Sequence, residues 1–431
     1  LIQNILNKIR KDENLSYIFN GGSISFIFKI LGVLFGFLVI WIISRLYNES
    51  FYGTFALLQV IVQLLVLVFT FGLQNILVKE INKKKDDTDF HFSFLWQILK
   101  KVLFLGLFPS LIIFIGSHFI SEYFFLKPNL AFGLQIMGMS LLFFLLHEIT
   151  LYFFIARKEF VKFGLFMFVM PNVLFIAFIL ALKNKITDEN HLFLYYSISF
   201  LLCFVLEMIL IYARNRIIKK TDINWTLLLK ESNPIMLSSV TFYLLSWVSV
   251  IILGRYVTES QIGIYNAAYK IGLSVQLFML TINIIISPRV ADLYHREKYE
   301  ELKKFIHHST RIIALVTLPV ALIILVFNEW LMSFFGTNFM AGSTALIILT
   351  IATFINAVSG NVDQILYMTD NQKIFFKIIL VSLIANIIIN LVLIPRYGIN
   401  GAAIANLITT ILMNFLALMI IKRKLGYFTL W

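Results

Sequence analysis

About twelve apolar runs, each near the ~20 residues a helix needs to cross a ~30 Å hydrocarbon core, follow one another along this 431-residue sequence. They lie near 23–44, 54–78, 99–120, 130–155, 164–182, 192–213, 234–253, 262–287, 311–327, 343–368, 374–394 and 401–421. The runs are continuous in Leu, Ile, Phe and Val and show no alternation of period two, so they read as helices and not as barrel strands. Composition agrees. Hydrophobic residues make up 60% and charged residues 14%, against about 25% charge in soluble domains. Such a chain cannot cover its apolar surface in water. The expectation is an all-α membrane protein of about twelve transmembrane helices. The first run follows Lys8, Arg10 and Lys11. It is too long for a signal-peptide core and lacks a small-residue cleavage site, so it is expected to stay in the protein. A single cysteine, Cys203, excludes an intrachain disulfide and a multi-cysteine metal site. No metal and no cofactor is expected.

The net charge of +13 could mean nucleic acid, but the basic residues sit between the apolar runs. Their sidedness explains them. Of 36 Lys and Arg, 28 fall in segments on the N-terminal side of the membrane. Six (Arg45, Lys127, Lys183, Lys185, Arg255 and Arg396) fall on the other side, and two, Lys29 and Lys270, lie inside spans. The positive-inside rule therefore predicts both termini in the cytoplasm. The charge implies anionic lipid headgroups as partners and no nucleic acid. The outward loops are too short to hold a domain. The inward stretches Lys79–Asp89 and Arg289–His308 read as charged connectors. Leu1, Ile2, Ile5, Leu6 and Ile9 share one face of an amphipathic helix on the inner leaflet, with a basic tail as the alternative.

The sequence also repeats. Arg45, Glu49, Ser50 and Gly53 recur 210 residues later as Arg255, Glu259, Ser260 and Gly263, with Phe55 matching Tyr265. The same offset carries Pro109 onto Pro319 and Phe124–Phe125 onto Phe334–Phe335. At an offset of 215, Tyr152, Lys158, Phe160 and Lys162 match Tyr367, Lys373, Phe375 and Lys377. The chain thus reads as two six-helix lobes, 1–220 and 221–431. Six spans is an even number, so both lobes point the same way, related by a pseudo-twofold axis along the membrane normal, which is a transporter arrangement. The paired prolines would free backbone groups and kink both helices alike, or serve packing alone.

Three stretches then carry a family resemblance. Leu393-Ile-Pro-Arg-Tyr-Gly-Ile-Asn-Gly-Ala-Ala-Ile-Ala405 resembles the turn between the eleventh and twelfth spans of bacterial polysaccharide transporters. Gly263-Ile-Tyr-Asn-Ala-Ala-Tyr-Lys270, continuing to Ser287-Pro-Arg-Val290, resembles their eighth span, and Gly72-Leu-Gln-Asn-Ile-Leu-Val-Lys-Glu80 the end of their second. In order and spacing the whole chain resembles a Wzx-type O-antigen or polysaccharide flippase of the multidrug/oligosaccharidyl-lipid/polysaccharide exporter superfamily. The resemblance implies movement of an undecaprenyl-diphosphate-linked oligosaccharide from the inner to the outer leaflet of the bacterial inner membrane. Alternating access and ion coupling, as in an antiporter, would drive it. It also implies work beside a polymerase and a chain-length regulator of the lipopolysaccharide pathway. One departure stands out: members often carry several lumenal cations, and here only two lysines lie clearly within spans.

Ionisable groups inside spans are functional candidates by default. Lys29 shares a face with Gly22, Ser25, Gly32 and Gly36, and Lys270 with Asn266, Ser274 and Thr281. Both lie on spans that line the cavity in the resembled fold, where Lys would serve a diphosphate as a point charge. The alternative is snorkelling to the nearer membrane face. Gln59 and Gln63, on one face with Thr70 and Gln74, and Tyr269, Gln276 and Asn283 suit sugar hydroxyls, or else join helices. Glu148, Glu207 and Asp363, with His147, are candidates for ion coupling, because desolvation favours the neutral carboxyl. They could equally pair with basic loops. Asn386, Asn390 and Asn406 read as helix–helix contacts. Arg45, Glu49, Arg255 and Glu259 are candidate gate residues: pairs exchanged between the halves would latch the outward mouth, whereas local pairs would contribute about 0–1 kcal/mol.

No enzyme motif is present, neither a phosphate loop, nor His-Glu-x-x-His, nor Gly-x-Ser-x-Gly. A membrane polymerase or glycosyltransferase would need larger outward loops. A multidrug exporter or a lipid II flippase of the same superfamily is the nearer alternative.

Overall fold

The computed structural model describes residues 13–84, 87–213 and 223–429. The leading segment with Leu1, Ile2, Ile5, Leu6 and Ile9 lies outside the described residues. Among them the secondary structure is helical throughout, in the order α1 (Glu13–Leu46), α2 (Glu49–Phe69), α3 (Leu73–Lys83), α4 (Thr88–Phe119), α5 (Ala131–Ala156), α6 (Phe160–Ala181), α7 (Asn190–Tyr212), α8 (Trp225–Tyr256), α9 (Glu259–Leu273), α10 (Val275–His295), α11 (Tyr299–Val326), α12 (Ser343–Val358), α13 (Val362–Met368) and α14 (Gln372–Leu425). Ten helical segments among the described residues are long and apolar enough to cross a membrane. One of them, α14, is two spans. Its 54 residues would stretch about 80 Å, more than twice the hydrocarbon core. It reverses at Gly398, whose φ of 54° and ψ of −130° are non-helical. The Asn386 amide donates to Thr409 Oγ1 at 3.1 Å, which requires antiparallel arms. A Cβ on Gly401 would lie 2.4 Å from the Leu393 carbonyl oxygen, so only glycine lets the arms meet there. With α9–α10 as one further span, the spans number twelve.

Three expected spans are broken. The second ends at Phe71 and Gly72, both at positive φ (52° and 70°), before α3 begins. The eighth is interrupted at Ser274, between α9 and α10. The tenth breaks at Gly360 and Asn361, with φ of 85° and 51°, so α13 is a separate short helix. In each case the apolar run continues across the break, so periodicity and hydropathy do not mark it. Pro109 and Pro319 both lie inside long helices, α4 and α11. The charged connector 289–308 consists of the end of α10 and the start of α11, joined by a turn at 296–298 with Glu297 at a φ of 57°. It carries ion pairs of Asp292 with Arg289 (3.1 Å) and Arg296 (2.6 Å) and of Lys298 with Glu301 (2.8 Å).

The described residues group into two compact units. Unit 1 holds the chain up to Ile42 and Ile61–Val240, and unit 2 holds Ile43–Val60 and Thr241 onward. The covalent halves and the packing units therefore differ: the start of α2 packs with the C-terminal spans, and the start of α8 with the N-terminal ones. Within unit 1, α5 is the central helix, with most of its residues buried against α4 and α7, and Phe144, Phe193, Tyr196 and Phe200 form an aromatic cluster between α5 and α7. Within unit 2, α10, α11, α13 and α14 enclose a core that includes Val290, Ile313, Ile365 and Phe375.

Candidate functional site

In unit 2, Lys270 sits in the last turn of α9, half-buried, with its ammonium 5.7 Å from the centre of the Tyr52 ring. Tyr52 in turn donates its hydroxyl to Asn266 Oδ1 at 2.6 Å. The lysine pairs with no carboxylate among the described residues, so the ring holds it by a cation–π contact alone. Asn266 Oδ1 accepts from Tyr52, and Ser274 donates to the Ile271 carbonyl at 2.6 Å. Tyr269 is buried one turn from Tyr265, its ring 5.0 Å from Trp247. Gln276, two residues after the break at Ser274, faces a cleft inside this unit together with Tyr269.

Asn283 belongs to a different group. It accepts from Asn361, the residue that opens α13, while Ser287 donates to Gln364 Oε1 at 3.0 Å and Gln364 donates to Asp363 Oδ2 at 3.2 Å. Asp363 is thus half-buried at the end of a chain of neutral groups between α10 and α13. Asn361 and Gln364 were not singled out in the sequence; the Gly360–Asn361 pair, two residue types that adopt left-handed backbone, is the signal that could have found Asn361.

Unit 1 holds the other candidates. Lys29 is half-buried on α1 and, like Lys270, pairs with no carboxylate among the described residues. Its face is only partly open. Gly36 has free space around it, but Gly32 packs on Phe168, where a Cβ would come within 2.8 Å of another. Gln63 is half-buried, whereas Gln74 is buried, its Oε1 lacking a partner among the described residues. Gln59 is half-buried but groups with unit 2. The two glutamines of the expected stripe therefore belong to different units.

Glu207 on α7 is fully buried. His147 Nδ1 on α5 lies 3.0 Å from its Oε1, and the Thr150 hydroxyl donates to its Oε2. Phe200 meets the imidazole edge to face, with ring centres 4.9 Å apart. Glu148 is buried beside this pair, on the same turn as His147. Thr150 was missed, although its i+3 spacing from His147 places both on one helical face.

Two of the four gate candidates hold one short segment of unit 2. Arg45 donates to the Phe334 carbonyl at 3.2 Å, and Asn338 donates to Glu49 Oε1 at 3.0 Å. Arg255 and Glu259 are half-buried at the corresponding helix junction between α8 and α9. On the strongly basic side, Lys79 of α3 and Glu231 of α8 form an ion pair of 2.6 Å within unit 1. The Glu231 carboxylate holds the Lys79 ammonium protonated above its ordinary pKa.

Twelve spans among the described residues, with lysines and carboxylic side chains inside them, make an all-helical polytopic membrane protein. Residues 18–294 match the family described as "Polysaccharide biosynthesis protein", and residues 234–392 match MatE. The chain belongs to the polysaccharide biosynthesis protein family, within the multidrug/oligosaccharidyl-lipid/polysaccharide exporter superfamily. Among curated proteins it is similar to the probable low-salt glycan biosynthesis flippase Agl15 of Haloferax volcanii, 29% identical over 171 residues, 39% of this chain and 36% of that protein. It is also similar to the probable flippase AglR of the same organism, 26% identical over 175 residues, 40% of this chain and 37% of that protein. The matched stretches thus span little more than a third of these relatives. Among solved structures, the lipid II flippase MurJ in an inward closed conformation superposes with a TM-score of 0.73 at 16% identity, covering 93% of this chain and 87% of that one. That likeness is one of fold.

Proposed function

We propose that this protein is a flippase that moves a polyprenyl-diphosphate-linked oligosaccharide, in a bacterium the undecaprenyl form, from the cytoplasmic to the outer leaflet of the inner membrane. It does so by alternating access, with both termini in the cytoplasm, and not as an enzyme. The observation that carries the reading is the pair of solitary lysines. Lys29 and Lys270 are half-buried within spans and pair with no carboxylate among the described residues. A cation held in a span without a counter-ion is costly, and an anionic headgroup that arrives and leaves offsets that cost only while it is bound. Family membership and the flippase relatives support the same reading.

In this reading the lobes 1–220 and 221–431 alternate. Gln59, Gln63, Tyr269, Gln276 and Asn283 meet the glycan, and Glu148, Glu207 and Asp363 take part in ion coupling. Arg45, Glu49, Arg255 and Glu259 govern the outer mouth, and the hold of Arg45 and Glu49 on the 334–338 segment supports such a role. O-antigen is the glycan class and lipopolysaccharide assembly the setting, with a polymerase and a chain-length regulator acting on the exported units. Deleting the gene tests the function. Surface glycan should disappear while lipid-linked repeat units accumulate on the cytoplasmic leaflet. Surface glycan that persists in the deletion strain, without such accumulation, refutes it.

A further inference from the structure

Unit 2 contains a cleft that the solitary lysine does not line. It lies among α8, α9, α10, α12 and both arms of α14, with a volume of about 170 Å³. Its polar lining includes Gln276, Asn356, Asn386, Asn406, Thr409 and Thr410, and no charged residue lines it. Tyr269 and Phe242 add aromatic surface.

Part of this lining is braced from behind. Asn390, fully buried, donates to Asn386 Oδ1 at 2.6 Å, and Asn386 donates to Thr409. Asn414, also buried, donates to Asn356 Oδ1 at 3.0 Å, which leaves the Asn356 N–H groups without an acceptor among the described residues. Gln276 and Asn406 are half-buried and hydrogen-bond to no other described residue. Amides serving only to join helices would be paired with each other. Here three amides present N–H groups to the cleft that no other described residue accepts.

We propose that this cleft is a subsite for one neutral pyranose ring. The inference rests on the flippase reading and adds to it a place for the sugar apart from the diphosphate. A cavity of about 150 Å³ admits benzene, so one six-membered ring fits the available volume. Sugar hydroxyls both donate and accept, as do amides and threonine hydroxyls. The aromatic rings suit the C–H face of a pyranose. A diphosphate or a cationic drug would find no counter-charge here.

The experiment uses the purified full-length protein in nanodiscs and saturation-transfer NMR with a panel of neutral methyl pyranosides: glucoside, galactoside, rhamnoside and N-acetylglucosaminide. At least one should receive saturation. Gln276→Leu with Asn406→Leu should weaken that signal about tenfold, since two hydrogen bonds to the sugar are lost. Thr410→Phe, which fills the cleft without removing an amide, should abolish it; thermal melts report whether each variant is folded. Lys270→Ala should leave the pyranoside signal intact while lowering export in cells. No pyranoside signal with the wild type, or a signal that survives in both folded cleft variants, overturns the subsite. So does a broadened ²³Na resonance that depends on Asn356 and Asn406 in the absence of any pyranoside signal. If the deletion strain still exports glycan while pyranoside binding tracks the cleft, the flippase reading fails and the subsite stands. If export needs this protein but no pyranoside binds, the subsite alone fails.

Discussion

Gly53 and Gly263, 210 residues apart, face each other where α2 and α9 cross. A Cβ on Gly53 would lie 1.7 Å from the Glu259 carbonyl oxygen and 2.9 Å from the Gly263 nitrogen. A Cβ on Gly263 would lie 2.3 Å from the Glu49 carbonyl oxygen and 3.0 Å from the Gly53 nitrogen. The contact is reciprocal: each glycine receives the backbone of the other's first helical turn, so the crossing has local twofold character. Small residues let membrane helices approach to backbone contact, and here both copies of a repeated motif supply one. The repeat is visible again at Phe124–Phe125 and Phe334–Phe335. Both pairs meet edge to face, with ring centres 4.9 and 5.8 Å apart, and the second ring of each is buried.

That crossing makes a steric prediction. Gly53→Ala and Gly263→Ala should each destabilise the protein by about 1–3 kcal/mol, the usual cost of overpacking, and should impair export. Gly36→Ala, with nothing within 4 Å of its new methyl, should be neutral or slightly stabilising. Thermal melts in detergent beside a surface-glycan assay decide it; equal melts for all three variants would show that the crossing yields.

Charge at Lys270 is expected to matter more than shape. Lys270→Ala should reduce export, and Lys270→Arg should restore part of it, because a diphosphate asks first for a cation. If the alanine variant exports as well as the wild type, the lysine merely snorkels.

The orientation can be read chemically. Cys203 is buried, so the native background of thiol labelling should be low. Cysteines at Lys83 and Arg296, both well exposed, should label with an impermeant maleimide only after the cytoplasmic side is opened. Labelling of either in intact cells would reverse the assigned topology.

His147 and Glu207 should behave as a unit. His147→Ala leaves the buried Glu207 carboxyl without the imidazole 3.0 Å from it and should cost about 1–3 kcal/mol. Replacing both residues by leucine should cost less than that single change, since no buried polar group is then left without its partner. A double variant less stable than His147→Ala would show that the pair is not coupled in this way.

A charge exchange tests the gate. Arg45→Glu should impair export, and adding Glu259→Arg should rescue it if the repeated motifs cooperate. Rescue by Glu49→Arg would point to a local pair instead. Unchanged export with each single reversal at Arg45, Glu49, Arg255 and Glu259 would remove all four from the gate.

Hydropathy by itself determined much of this protein: helices rather than strands, and about twelve spans. Each follows from a one-dimensional constraint, since a backbone in hydrocarbon must satisfy its own hydrogen bonds. The lone lysines were legible for the same reason, because a charge in an apolar run stands out. Tertiary structure alone decided how the polar residues group. Asn283 reads in the sequence as a companion of Tyr269 and Gln276, yet it bonds to Asn361 beside Asp363, because the break at Ser274 and the αL residue at the start of α13 redirect the chain without interrupting its hydropathy. Asn386 reads as a helix contact and does bond Thr409 across the arms, whereas Asn406 lines a cleft, because the reversal at Gly398 brings together residues that no helical period relates. Glu207 found His147 and Thr150 only through the packing of α5 on α7. A side chain's type shows that it must be satisfied inside a membrane; only the folded backbone determines by which partner.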